Sequence, residues 1–149
     1  MSLKDKINDE LKAAMIAKNS VRTETLRSIR AEILKADKAG LDREMTEEEE
    51  IEMLSKQAKM RRESIEQFES AGRTDLVDKE KAQLEIIGEF LPEQMSQEEA
   101  ESIVDGIIKE TGAVDQKDFG KVMGGAMKEL KGKIDGKVIQ DIVKSRLSS

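Results

Sequence analysis

Apolar residues recur along this chain at intervals of three and four, the spacing that gathers them on one side of an α-helix. Leu3, Ile7, Leu11 and Met15 form the first stripe, with Ser2 placed to cap it. Asn19-Ser20 interrupts the pattern, and Leu26, Ile29 and Ile33 carry a second helix expected to end near Gly40. In the run TEEEE, Thr46 and Glu49 have capping-box spacing, and the carboxylates lie where a helix dipole favours negative charge. Ile51, Leu54, Ala58, Ile65 and Phe68 then mark a third helix, roughly 36 Å long, stopped at Ala71-Gly72.

A fourth helix is expected to be capped by Thr74 or Asp75, to turn Leu76, Leu84, Ile87 and Leu91 inward, and to close at Pro92. Pro92, the single proline, reads with Glu93 and Gln94 as a domain hinge. Ser96 and Glu99 repeat the capping-box spacing ahead of Ala100, Ile103, Val104, Ile107 and Ile108, and Gly112 terminates that helix. Asp115 reads as the cap of the next, with Phe119, Val122, Met123, Ala126, Met127 and Leu130 inward. After a turn marked by Gly132 and Asp135, Val138, Ile139, Ile142, Val143 and Leu147 build the last helix. No period-two alternation interrupts this. The expected fold is all-α: a longer N-terminal four-helix domain over 1–92, then a small C-terminal three-helix bundle over 93–149, near the lower size limit for independent folding.

The 149 residues include three Phe and no Trp or Tyr, so the core is aliphatic and Met-filled. Net charge is −6, unevenly spread: residues 96–118 hold two Lys/Arg against seven Asp/Glu, and residues 119–149 hold seven against three. A basic C-terminal end on an acidic protein points to a local anion-binding face, against the alternative that lysines merely solvate helix surfaces. Histidine and cysteine are both absent. That removes the usual triads and thiol nucleophiles, ordinary zinc sites and disulfides. No Walker or dinucleotide glycine motif is present. The acidic run at Glu47, Glu48, Glu49 and Glu50 is accounted for by capping. No catalytic residue, cofactor or metal is therefore expected. With no apolar run of transmembrane length and no signal-peptide core, a cytosolic protein off the membrane is expected.

The segment FGKVMGGAMKELKGKIDGK, residues 119–137, holds five glycines and five lysines on a helical apolar spacing. Gly120 and Gly124 are four apart and share a face, with Gly125 beside them. Each costs about 1 kcal/mol against Ala in a helix interior. Two readings compete: helix packing too close for a Cβ, or a backbone surface that a phosphate or ribose approaches. Lys121, Lys128, Lys131, Lys133 and Lys137 surround these glycines, and the turn and helix start over 132–137 offers backbone N–H groups to anions. With almost no aromatics there is no stacking platform for single-stranded bases, so an RNA partner would be read by shape, sugar and phosphate. A second basic group, Arg22, Arg27 and Arg30 with Arg61 and Arg62, reads first as salt bridges to Glu24, Glu32 or Glu63, and second as a further contact to the same partner.

Several motifs together resemble the YqeY family of the GatB/YqeY domain group: Ala71-Gly72-Arg73 with Asp75-Leu76, Leu91-Pro92-Glu93-Gln94, Gly120-Lys121-Val122-Met123-Gly124, and Lys131-Gly132 followed by Asp135-Gly136-Lys137. The Leu26-Arg27 helix fits as well, so the resemblance covers nearly the whole chain. It implies a two-part helical protein. The C-terminal part is similar to the tail of the B subunit of glutamine-dependent aminoacyl-tRNA amidotransferase, which is associated with gripping tRNA while amidation occurs elsewhere. Carried over by position, the resemblance marks Gly120, Lys121, Gly124, Lys131, Gly132, Gly136 and Lys137; the basic pattern adds Lys128 and Lys133. The chain departs from the family at Ala126-Met127-Lys128, where Leu-Met-Pro is common. Three functions follow as expectations: a tRNA-binding or structured-RNA-binding module without catalysis of its own, a protein-interaction module, or an accessory component of an amidotransferase.

Overall fold

The computed structural model describes residues 2–38 and 43–147, with backbone alone at 37 and 38. The described residues are all-α, with seven α-helices, one short 3-10 turn and no strand. The chain divides into two compact units, Met1–Leu91 and Pro92–Ser149.

The first unit contains α1 (Leu3–Ile16), α2 (Ser20–Lys38), α3 (Glu47–Ser70) and α4 (Thr74–Gly88). Ser2 caps α1 through a complete capping box with Asp5, and Thr46 caps α3 the same way with Glu49. Asn19 starts α2, its Oδ1 accepting from the Arg22 N–H at 3.1 Å. The expected end at Gly40 lies outside the described residues. Gly72 stops α3 in the left-handed conformation, φ 70°, which only glycine adopts without strain.

Helix α1 packs on α2, α2 on α4, and α4 on α3. Leu3, Ile7, Leu11, Ala14, Leu26, Ile29, Ile33, Leu54, Ala58 and Ile87 form the shared core. Met15 was expected inward, but it is 51% exposed and Ala14 is buried instead. Both positions continue the stripe, three and four residues after Leu11, and the core takes the smaller one. Arg22 joins three helices, donating to Glu10 of α1 and Glu89 beyond α4 at 2.7 Å each.

The expected boundaries of α4 need two corrections. Arg73 occupies the N-cap and makes no capping bond, so neither Thr74 nor Asp75 caps the helix; Arg73 instead pairs with Asp75 at 3.1 Å. The helix ends at Gly88, ahead of Pro92. Glu89, Phe90 and Leu91 continue it only through tighter bonds to the residue three back, because the position before a proline is pushed out of the helical region.

The second unit contains α5 (Gln97–Thr111), a 3-10 turn (Gln116–Asp118), α6 (Phe119–Leu130) and α7 (Gly136–Leu147). Ser96 caps α5 by accepting from the Glu99 N–H at 3.2 Å. Gly112 ends α5 at φ 69°, where the Ala113 N–H reaches back to Ile108 O. Asp115 caps the 3-10 turn rather than α6 itself, accepting from the Lys117 N–H at 2.9 Å. The three helices pack on one another around Ala100, Val104, Ile107, Val122, Ala126, Leu130, Ile139, Ile142, Val143 and Leu147.

Candidate functional site

The apolar side of α6 is set by Val122, Ala126 and Leu130, all fully buried. At 100° per residue, Gly120, Lys121, Gly124 and Lys128 fall together within about 100° of arc on the opposite side. All four are exposed. A Cβ built on Gly120 or Gly124 meets no atom within 4 Å. Packing does not explain these two glycines. It does explain Gly125, whose added Cβ would stand 3.2 Å from the Ile107 Cγ2 of α5. The two readings of the glycine cluster thus divide among its members.

Lys121 and Lys128 stand about 10 Å apart along the helix axis. Among the described residues, the ammonium groups of Lys121, Lys128, Lys133 and Lys137 have no ion-pair partner. Arg146 differs. It lies against Asp105 at 2.8 Å and Glu101 at 3.6 Å, so α5 carboxylates already balance it.

After α6 the chain makes a tight reversal. Lys131 (φ −55°, ψ 124°) and Gly132 (φ 80°) are the central residues of a type II turn closed by Lys133 N–H to Leu130 O at 2.9 Å. Gly132 is buried, Lys131, Lys133 and Gly136 are half-buried, and Lys137 is exposed. Asp135 starts α7, its Oδ1 accepting from the Lys137 N–H at 3.1 Å. The sequence expectation of open N–H groups here needs correction at two positions. The amides of Lys133 and Lys137 are taken by Leu130 O and Asp135 Oδ1, so these residues can meet an anion only through their side chains.

The turn is also held from outside. Gln94 Nε2 donates to Gly132 O at 2.7 Å and to Pro92 O at 2.8 Å, and the Met95 N–H donates to Lys133 O at 2.8 Å. Sequence reading treated Pro92, Glu93 and Gln94 as a hinge and missed this clasp. The clue was Gln94 itself, a two-donor amide in the motif Leu91-Pro92-Glu93-Gln94.

The N-terminal basic group is organised differently from the expectation. Arg22 bridges Glu10 and Glu89, and Arg61 pairs with Glu80 at 3.1 Å. Glu24 pairs with Lys79 and Glu32 with Lys35, so those two carboxylates serve lysines. Arg27 and Arg30 are exposed on α2.

These features define an all-helical protein of two compact units with an exposed glycine-and-lysine helix face in the second. The chain belongs to the YqeY-like family, whose description as "Yqey-like protein" matches residues 4–147. It is 34% identical over 147 residues to "Altered inheritance of mitochondria protein 41, mitochondrial" of Pyrenophora tritici-repentis, a match covering 93% of this chain and 79% of that protein. The protein of the same name from Lachancea thermotolerans is 33% identical over 95 residues, 64% of this chain and 51% of its own length. A shorter match, 44% identical over 57 residues, is to the E subunit of glutamyl-tRNA(Gln) amidotransferase from Methanocaldococcus jannaschii. It covers 36% of this chain and 9% of that protein, and is consistent with the amidotransferase relation the motifs imply.

Proposed function

We propose that this protein is a non-catalytic module for tRNA or another structured RNA, and that residues 93–149 form its RNA-contacting domain with the helices of 1–92 as scaffold. The observation that carries the reading is the pair Gly120 and Gly124, exposed on a helix with nothing near their missing side chains and flanked by Lys121 and Lys128. Glycine weakens a helix, and on this lysine-flanked face a benefit outside the fold offsets that cost. Close approach of a sugar–phosphate backbone provides one. Lys121, Lys128, Lys131, Lys133 and Lys137 supply the charge; Gly132 shapes the turn that carries Lys131 and Lys133, and Gly136 with Lys137 opens α7.

The test is a salt titration of binding to bulk tRNA, comparing wild type with a variant in which Lys121, Lys128, Lys131 and Lys133 are all Gln. Each phosphate contact contributes roughly 0.7–0.9 to the slope of log K against log salt, so the variant should lose about 3 from it along with most of its affinity. Absence of wild-type binding at low salt would refute the reading.

A second reading is an accessory role in a glutamine-dependent amidotransferase, favoured by the partial match to the archaeal amidotransferase protein. Co-purification with the catalytic components of such an enzyme would support it. No helix among the described residues is long and apolar enough to cross a membrane. A cytosolic location is part of the proposal, while the fungal relatives carry "mitochondrial" in their names.

A further inference from the structure

We propose that Gln94 is the positioning residue of the basic turn, acting on RNA binding through Lys133. The inference rests on the RNA reading above. A primary amide carries two N–H donors, and Gln94 places them on two backbone carbonyls, Pro92 O at 2.8 Å and Gly132 O at 2.7 Å. One residue further on, the Met95 N–H bonds to Lys133 O at 2.8 Å. Segment 92–95 is thereby stitched to the turn at two successive residues, 132 and 133.

The turn needs this support. Gly132 sits at φ 80° between Lys131 and Lys133, and the backbone of the reversal closes through Lys133 N–H to Leu130 O. That bond fixes the peptide that carries the Lys133 N–H but not the one that follows it. Holding the carbonyls of 132 and 133 fixes the peptide planes on both sides of the Lys133 Cα, and with them the direction of the Lys133 Cα–Cβ bond from which the ammonium extends. Two short bonds from an exposed glutamine are otherwise costly, because they immobilise a flexible side chain.

The chemistry demands a donor. Glutamate at 94 would set a carboxylate against two carbonyl oxygens, and methionine would keep the shape while removing both donors. The test measures tRNA binding for wild type, Gln94→Met, Lys133→Gln and the double variant, each checked for wild-type helicity. Gln94→Met should weaken binding about fivefold and raise exchange of the Met95 amide about tenfold, the size of the one lost bond that reaches the turn, Gln94 Nε2 to Gly132 O. The double variant should bind within about twofold of Lys133→Gln alone, since residues acting through one another are not additive. A purely structural role predicts effects that multiply, and multiplication overturns the inference. So does wild-type affinity in Gln94→Met. Should that variant fail to fold, Gln94→Ala, which removes both donors without adding bulk at this exposed position, takes its place in the cycle with the same readings. Absence of wild-type binding refutes the RNA reading itself. Binding that is indifferent to Gln94 refutes only the positioning role.

Discussion

Replacing Gly124 with Ala separates the two meanings a helical glycine can have. Gly124 is interior to the 12-residue helix α6, has no positive φ, and would present its new methyl to open space. Nothing opposes the gain in helix propensity, about 1 kcal/mol. In a unit as small as Pro92–Ser149, 1 kcal/mol corresponds to about 4–8 °C in midpoint. Gly120 is the second residue of the helix, where the gain is smaller, about half. Gly125→Ala is the control. Its methyl would stand 3.2 Å from Ile107 Cγ2, so Ile107 has to shift and the net change falls well below that at Gly124. Thermal and urea unfolding of the full chain, followed by circular dichroism, gives the ranking. Destabilisation by Gly124→Ala would refute the placement of this face in solvent. Run beside tRNA binding, the same variant should be more stable and bind more weakly, because the methyl holds the partner off the helix. A stabilised variant with unchanged affinity would remove the glycines from the contact and leave the lysines.

Three further outcomes follow from single contacts. Thr46→Ala should cost about 1 kcal/mol in urea unfolding, since it removes the acceptor for the Glu49 N–H at 3.2 Å and breaks the capping box of α3. Gly132→Ala should destabilise the second unit by about 1–2 kcal/mol, because a Cβ at φ 80° is strained and the residue is buried; a stability equal to wild type would contradict the turn assignment. The Glu49 carboxyl, bonded by Arg43 at 2.6 Å and by the Thr46 N–H at 3.0 Å, is pulled from its ordinary 4.5 down to about 2. Because the folded value is the lower one, its contribution is complete above pH 4.5 and is lost as pH falls towards 2. NMR titration of this carboxyl checks the value, and Arg43→Ala should move it upward.

Much of the fold is local and was therefore legible in the sequence. The helices follow from three-and-four spacing, and Ser2, Thr46, Ser96, Gly72 and Gly112 cap or stop them where residue chemistry requires. Those signals act over four or five residues and need no knowledge of what lies across the core. The family was legible too, through motifs that match by position. What the sequence left open depended on neighbours distant along the chain. Which of Gly120, Gly124 and Gly125 is a packing glycine depends on where Ile107 of the preceding helix lies, and only the docking of α6 on α5 decides it. Arg22 could have paired within its own helix, but the packing of α1, α2 and α4 delivers Glu10 and Glu89 to it instead. Gln94 and Gly132 are 38 positions apart and meet because the three-helix core returns the chain to where it entered. Periodicity marked most of the inward-facing residues; tertiary packing decided the exceptions, such as Ala14 in place of Met15, and which outward-facing residues have partners.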